Sequence, residues 1–332
     1  MSYTITMIPG DGIGPEVMEA MQAVVNASGV EIEWEVVNAG EGVIEEYGTP
    51  LPDYVIESIK KNKIAIKGPV TTPVGKGFRS VNVGLRQSLN LYANVRPVKT
   101  FKGVPCRYED VDLIIVRENT EDLYAGIEHM VGEDAAETIK IITRKASVRI
   151  SKYAYELAKA QNRKMVTAVH KANIMKLSDG LFLKCAKEVG EEYPEIISND
   201  MIVDAMSMRM VQDPTKYDVL VMPNLYGDIL SDMASGLVGG LGIVPGANIG
   251  EDMAVFEAVH GSAPDIAGLN IANPTATILS GVMMLRYLKE FEAADKIEKA
   301  VSKVLESGKV VTSDLGGNAK TMEYANEIIN NM

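Results

Sequence analysis

Short apolar runs alternate along this chain with amphipathic helical patterns, and that alternation restricts the fold more than any other feature. Tyr3–Ile8 reads as a strand, Gly10 to Gly14 as a tight turn, and a helix follows with Pro15 in its first turn. Val17, Met18, Met21, Val24 and Val25 give that helix one apolar face. Residues 31–37 and 63–67 read as strands, with a helix near 53–60 between them. Residues 112–117 have the composition of a buried strand, and 139–143 read as another with more exposed flanks. Strands at 165–170, 196–202 and 218–222 are each followed by a helical pattern. The last third is mainly helical: Asn273 and Pro274 cap and start one helix, and two more lie near 294–307 and 318–330. Such alternation predicts an α/β fold with helices on the faces of a sheet.

With 332 residues, the chain has room for one large α/β domain or two medium ones. It shows no internal repeat, low-complexity segment or long linker. The formal charge is −12, and there is no Lys/Arg-rich run, which excludes nucleic acid or an anionic membrane as the main partner. The two cysteines, Cys106 and Cys185, form neither a disulfide framework nor a CxxC pair; they read as reduced thiols of a cytoplasmic protein. The first strand begins so early that no secretory or transit segment is expected before it. No apolar run reaches the roughly 18 residues of a membrane span.

An acidic protein that binds an anion must concentrate its arginines. Arg79, Arg86 and Arg96 fall close together, with Ser80 and Asn82 among them. Each guanidinium presents a fixed fork that grips a carboxylate with two bonds, so this segment suits a small molecule carrying several carboxylates. Asp228 and Asp232 lie four apart, on one face of a helix. Two carboxylates held so close repel unless a hard cation such as Mg²⁺ or Mn²⁺ lies between them, with Asp204 as a candidate third ligand. An isolated pair at this spacing is equally what a solvated helical face looks like. Arg117 ends a strand and is followed by a polar run to Tyr124; a tyrosine there can also be a rim residue. Lys171 follows another strand end, where it is either solvated or, if desolvated, a general base.

The glycine turn does not match GxGxxG, so it is no Rossmann fingerprint. The better nucleotide candidate is the small-residue stretch Glu257, His260, Gly261, Ser262, Ala263, Asp265 and Ile266, continuing to Asn273. Its backbone N–H groups can approach a phosphate and its imidazole can lie beside an adenine, although an ordinary strand-to-helix turn looks similar.

Taken in order, these segments resemble the β-decarboxylating dehydrogenases, the isocitrate and 3-isopropylmalate dehydrogenase family. The match covers the Ile8–Glu16 opening, the arginine segment, Arg117 to Tyr124, His170-Lys171, Asn224 to Asp232 and His260 to Asn273. The resemblance implies a discontinuous large α/β domain, residues 1–96 plus 239–332, that binds the cofactor. It implies a smaller α/β domain, 97–238, with a dimer clasp near 130–145 and the site in the cleft between the two. Ser80 and Asn82 stand where isopropylmalate enzymes are apolar, and they resemble the pair that binds the γ-carboxylate of isocitrate; donors there would be left unpaired against an isopropyl group. The family roles give Arg86, Arg96 and Arg117 the other carboxylates, and Asp228 and Asp232 the Mg²⁺ or Mn²⁺ together with Asp204 of a second copy. They make Lys171, also from the second copy, a helper in removing the hydroxyl proton, and Tyr124 the donor of a proton to carbon. Thr72 is placed near the nicotinamide.

Asp265 and Ile266 stand where NADP-using relatives have Lys and Tyr, and Ser313 and Gly317 where they have Tyr and Arg, so NAD is the implied cofactor. The expectation is an NAD-dependent oxidative decarboxylation of isocitrate by a homodimer with shared sites, which can pair further into a tetramer. Homoisocitrate, tartrate and isopropylmalate are the alternative substrates, and a non-catalytic regulatory subunit is the alternative role. Ser80 also suggests regulation, since a phosphate there would repel the substrate's carboxylate.

Overall fold

A computed structural model describes residues 2–71 and 80–332; Thr72 and Arg79 lie outside the described residues. The chain divides into two compact units, one formed by Met1–Leu89, Thr100–Arg107 and Val238–Met332, the other by Asn90–Lys99 and Tyr108–Leu237.

The first unit starts with β1 (Tyr3–Ile8), α1 (Gly14–Ala27), β2 (Ile32–Val36), α2 (Ile44–Tyr47), α3 (Asp53–Asn62), β3 (Ile64–Lys67) and α4 (Val81–Ser88). The chain then builds the second unit from β4 (Ala93–Lys99), β5 (Asp112–Glu118), β6 (Glu128–Val131), β7 (Ala135–Thr138), α5 (Arg144–Ala160), β8 (Met165–His170), α6 (Ser178–Gly190), β9 (Ile197–Ile202), α7 (Val203–Gln212), β10 (Val219–Met222) and α8 (Asn224–Leu237). It returns to the first unit with β11 (Pro245–Ile249), β12 (Ala254–Ala258), α9 (Thr275–Tyr287), α10 (Phe291–Ser307) and α11 (Thr321–Asn330).

In the first unit the strand order is β2-β1-β3-β12-β11, parallel except for the β11–β12 pair. Ile5, Ile8, Ile66 and Phe256 are fully buried there, as are Val17, Met21 and Val24 on the apolar face of α1. In the second unit the order is β4-β5-β10-β8-β9, antiparallel only between β4 and β5. Strands β5, β10, β8 and β9 therefore end at one edge of their sheet. The residues after those ends include Lys171, Asp204 and the start of α8. In α/β sheets that edge is where ligands bind.

One expected strand is absent. Residues 139–143 contribute only an isolated bridge, Asp122 to Ile141, and Thr143 instead caps α5 by accepting from the Ala146 N–H. The apolar residues at 139, 141 and 142 carry a strand's composition, but a capping Thr and a 17-residue helix take over at once. The strands in this region are β6 and β7, an antiparallel hairpin whose residues are all exposed.

Candidate active site

Strands β4 and β5 set the geometry of the second unit's site. Asn94 pairs with Arg117 and Arg96 with Ile115, so Arg96 and Arg117 project from the same face of the ribbon. Helix α8 covers that face and supplies the counter-charges. Arg117, almost wholly buried, donates through Nε to Asn224 Oδ1 at 2.9 Å and through a terminal nitrogen to Asp228. Arg96 donates to Ser231 Oγ at 2.5 Å and to Asp232 Oδ1 at 2.9 Å, and lies 3.6 Å from Asp228. Tyr124, on a short 3₁₀ turn, donates its hydroxyl to the other oxygen of Asp228 at 2.5 Å, and its ring carries the Arg117 guanidinium 5.1 Å from its centroid. The expected residues Arg96, Arg117, Tyr124, Asp228 and Asp232 thus meet around one helix. Sequence reasoning missed Asn224 and Ser231, which stand four before and three after Asp228 and so share its face.

Gly227 makes this arrangement possible. A Cβ there would fall 2.4 Å from Arg117 Cγ, so only glycine lets the helix close over the buried arginine.

Asp204 does not join Asp228 and Asp232 within the chain; it is exposed and pairs with the Lys171 ammonium, which holds its carboxyl below the usual range. Among the described residues no group of three or more His, Cys, Asp and Glu side chains is placed to hold a metal ion. The donor set nevertheless suits one. Asp228 and Asp232 are hard oxygen ligands with side chains 37% and 54% exposed, one turn apart. Two guanidiniums already face them, so an added cation is best tolerated when it arrives with an anion that takes over the arginines.

The first unit carries a second constellation. Ser80 precedes α4 without capping it, so its hydroxyl is not spent on the helix. Asn82 and Arg86 are one turn apart on α4; Asn82 Oδ1 and Arg86 Nε are buried and meet no hydrogen-bond partner among the described residues. Arg86 Nη2 is 3.4 Å from Glu257 Oε1, and Lys67 Nζ is 2.7 Å from Glu257 Oε2. Asn248 adds a bond of 2.7 Å. Burial opposes the Glu257 charge, but Lys67 and Arg86 outweigh it and hold the carboxyl down at about 2. Glu257 is therefore fully committed to these cations.

A cavity of about 480 Å³ in the same unit is lined by His260, Gly261, Ala263, Ile266 and Asn273, among others. The lining also contains Ile13, Gly242 and Asp314, which sequence reasoning did not single out. Among the described residues the lining includes neither lysine nor arginine. Asn273 spans Asp314 (2.9 Å) and the Thr275 N–H (3.0 Å), fixing the start of α9. The glycine turn closes against this loop. Gly12 has φ +60°, its Cβ position lies 2.0 Å from the Ser262 carbonyl, and the Ile13 N–H donates to that oxygen at 2.9 Å. Ser262 itself bonds Thr71 at 2.8 Å. Asp265 is exposed between the lining residues Ala263 and Ile266. Nδ1 of His260 is 3.0 Å from the Gly261 carbonyl, which only a protonated Nδ1 satisfies. Burial lowers the imidazole pKa, so Nε2 is left as an acceptor, and it meets no partner among the described residues.

Arginines, a phenol and paired carboxylates at strand ends, with a cavity of cofactor size, are the parts of an α/β dehydrogenase acting on an organic acid. The chain belongs to the isocitrate/isopropylmalate dehydrogenase family, whose profile matches residues 4–328, and it is an oxidoreductase of that kind. The crystal structure of isocitrate dehydrogenase from Methylococcus capsulatus is 54% identical, covers 99% of both chains and gives a TM-score of 0.96. The Drosophila melanogaster protein named probable NAD isocitrate dehydrogenase subunit alpha, mitochondrial, is 53% identical over 98% of this chain and 86% of its own length. The chloroplastic 3-isopropylmalate dehydrogenase of Solanum tuberosum is 52% identical over 92% of this chain and 86% of its own.

Proposed function

We propose that the chain oxidatively decarboxylates isocitrate to 2-oxoglutarate and CO₂, with NAD⁺ as oxidant and Mg²⁺ or Mn²⁺ as activator. The observation that carries this reading is Asp228, shared by Arg96, Arg117 and Tyr124. Arg86, Arg96 and Arg117 bind two substrate carboxylates, and Ser80 and Asn82 the third. Asp228 and Asp232 hold the cation together with Asp204 of a second copy. When bound, the ion acts as a Lewis acid toward the substrate's hydroxyl and carboxylate oxygens.

Lys171, supplied with Asp204 by the second copy, helps take the hydroxyl proton while hydride leaves C2 for the nicotinamide. The β-keto acid then loses CO₂, and the electron pair left at C3 accepts a proton from Tyr124. The Tyr124 phenol donates to Asp228 here, so it carries the proton that step needs. With Asp228 engaged by a cation, the Tyr124 hydroxyl would be free to turn to carbon.

The dinucleotide fits the cavity of the first unit. The His260 acceptor would take an adenine amino group, Gly261 to Ala263 would offer backbone to the pyrophosphate, and Asp265 would bind the ribose 2′-hydroxyl. The described lining residues include neither lysine nor arginine, which favours NAD over a 2′-phosphate. Thr72 is kept as the residue beside the nicotinamide. The active form is proposed as a homodimer, with the exposed β6–β7 hairpin as its clasp. Among the described residues no helix is long and apolar enough to cross a membrane. The free thiols Cys106 and Cys185 support the cytoplasm as compartment.

The test is NADH formation by the purified chain with isocitrate, homoisocitrate, tartrate and 3-isopropylmalate, with Mg²⁺ and then with EDTA. Isocitrate is expected to lead, and activity is expected to vanish with EDTA and return with Mg²⁺. Preference for another acid, or turnover that survives chelation, sinks the reading.

A further inference from the structure

Lys140 follows β7, belongs to no helix or strand, and has no part in the chemistry above. Its ammonium is nevertheless 2.8 Å from Asp179 Oδ1 and 3.4 Å from Asp122 Oδ1, with the lysine side chain 13% exposed and the two carboxylates 0% and 1%. It also lies 4.4 Å over the ring of Tyr226 and donates to that hydroxyl at 3.4 Å.

Each partner stands beside a residue of the proposed machinery. Asp122 is two residues before Tyr124, and its Oδ2 accepts the Leu225 N–H of α8 at 2.9 Å. Asp179 Oδ2 accepts the Lys171 N–H at 2.6 Å. Tyr226 is two residues before Asp228. Asp122 is itself tied to the segment that carries the lysine, its N–H donating to the Ile141 carbonyl at 2.8 Å.

Two buried carboxylates thus share one cation. The Tyr226 ring lies beneath the same ammonium. Without that ammonium the two carboxylates would be left uncompensated out of water, a state proteins avoid by opening to solvent or taking up a proton. Either response loosens the turns that carry Tyr124 and Lys171.

We propose that Lys140 is a positioning residue: its ammonium fixes the Tyr124 turn, the Lys171 turn and the first turn of the Asp228 helix in mutual register. This rests on the catalytic reading of Tyr124, Lys171 and Asp228. A merely structural lysine would lower stability and leave kcat of the folded enzyme alone.

The test uses the full chain with isocitrate, NAD⁺ and Mg²⁺, and reads kcat, both KM values and amide hydrogen exchange. In Lys140→Met kcat falls about tenfold or more, because displacements near 1 Å carry penalties of that size. Both KM values stay within about threefold, since the carboxylate-binding arginines are untouched. Exchange quickens at the Lys171 and Leu225 amides and not in β1 or β3. Lys140→Arg retains most of kcat. Adding Asp179→Asn to Lys140→Met keeps an acceptor for the Lys171 N–H while removing one stranded charge, and it restores part of kcat. That variant and Lys140→Arg carry the test if Lys140→Met does not fold. Wild-type kcat in Lys140→Met, or a double variant with purely additive losses, overturns the proposal. If the wild type turns over none of the acids, the functional reading falls instead, and exchange at Lys171 and Leu225 decides whether Lys140 holds the turns.

Discussion

At the scale of single residues, charge decides most of what this chain does. Asp265 is an exposed carboxylate between two residues that line the proposed dinucleotide cavity. Replacing it with lysine, and Ile266 with tyrosine, exchanges repulsion for attraction toward a 2′-phosphate. The NADP⁺-to-NAD⁺ ratio of kcat/KM is expected to rise by about tenfold or more, the equivalent of roughly 1.4 kcal/mol. An unchanged ratio removes Asp265 from the account of cofactor choice. Glu257 makes a second prediction. Its carboxyl is held at about 2 against 4.5 unperturbed, so its stabilisation is complete above the ordinary carboxylate range. That contribution is lost as pH falls from 4.5 toward 2 and is on the order of 3 kcal/mol. Glu257→Gln strands Lys67 and Arg86, costs about 3–5 kcal/mol at neutral pH, and flattens the acid limb of stability in urea titrations. A variant as stable as the wild type would mean that the buried cluster contributes nothing.

At the scale of elements, α8 shows how a sequence rule is overridden. Glycine inside a helix costs about 1 kcal/mol against alanine, so Gly227→Ala should stabilise by propensity alone. The structure reverses the sign, because the added methyl meets the Arg117 side chain at 2.4 Å. Gly227→Ala is expected to lower kcat/KM for isocitrate by about tenfold or more through displacement of Arg117. A stabilised, fully active variant would refute this packing argument. The i, i+4 pair Asp228 and Asp232 was legible from spacing, and so was its placement after a strand. The partners of Arg117 and Arg96 were not, because Asn224 and Ser231 acquire meaning only when β4 and β5 lie beneath the helix. The apolar run at 139–143 misled for the same kind of reason. Local composition favours a strand, whereas the capping of α5 by Thr143 and the burial of Lys140 against Asp179 settle that segment.

At the scale of the whole molecule, Asp204 forms no three-carboxylate group with Asp228 and Asp232 among the described residues, which accords with the proposal that a second copy completes each site. Mixing Asp204→Asn with Asp228→Asn under exchange conditions is then expected to restore about a quarter of wild-type activity, as random dimers place one intact site in half of them. No recovery would argue for sites built from one chain. The sequence by itself determined the α/β class and the family, and it supplied the candidate site residues. Strand–helix alternation follows from local periodicity, and ordered motifs keep their residue types wherever the chain goes. Tertiary structure alone decided that Glu257 is buried between Lys67 and Arg86, that Gly227 must lack a side chain, and that Lys140 joins three turns. Each depends on atoms far apart in sequence coming within a few ångströms, where desolvation and close packing, invisible in a linear chain, set the energy.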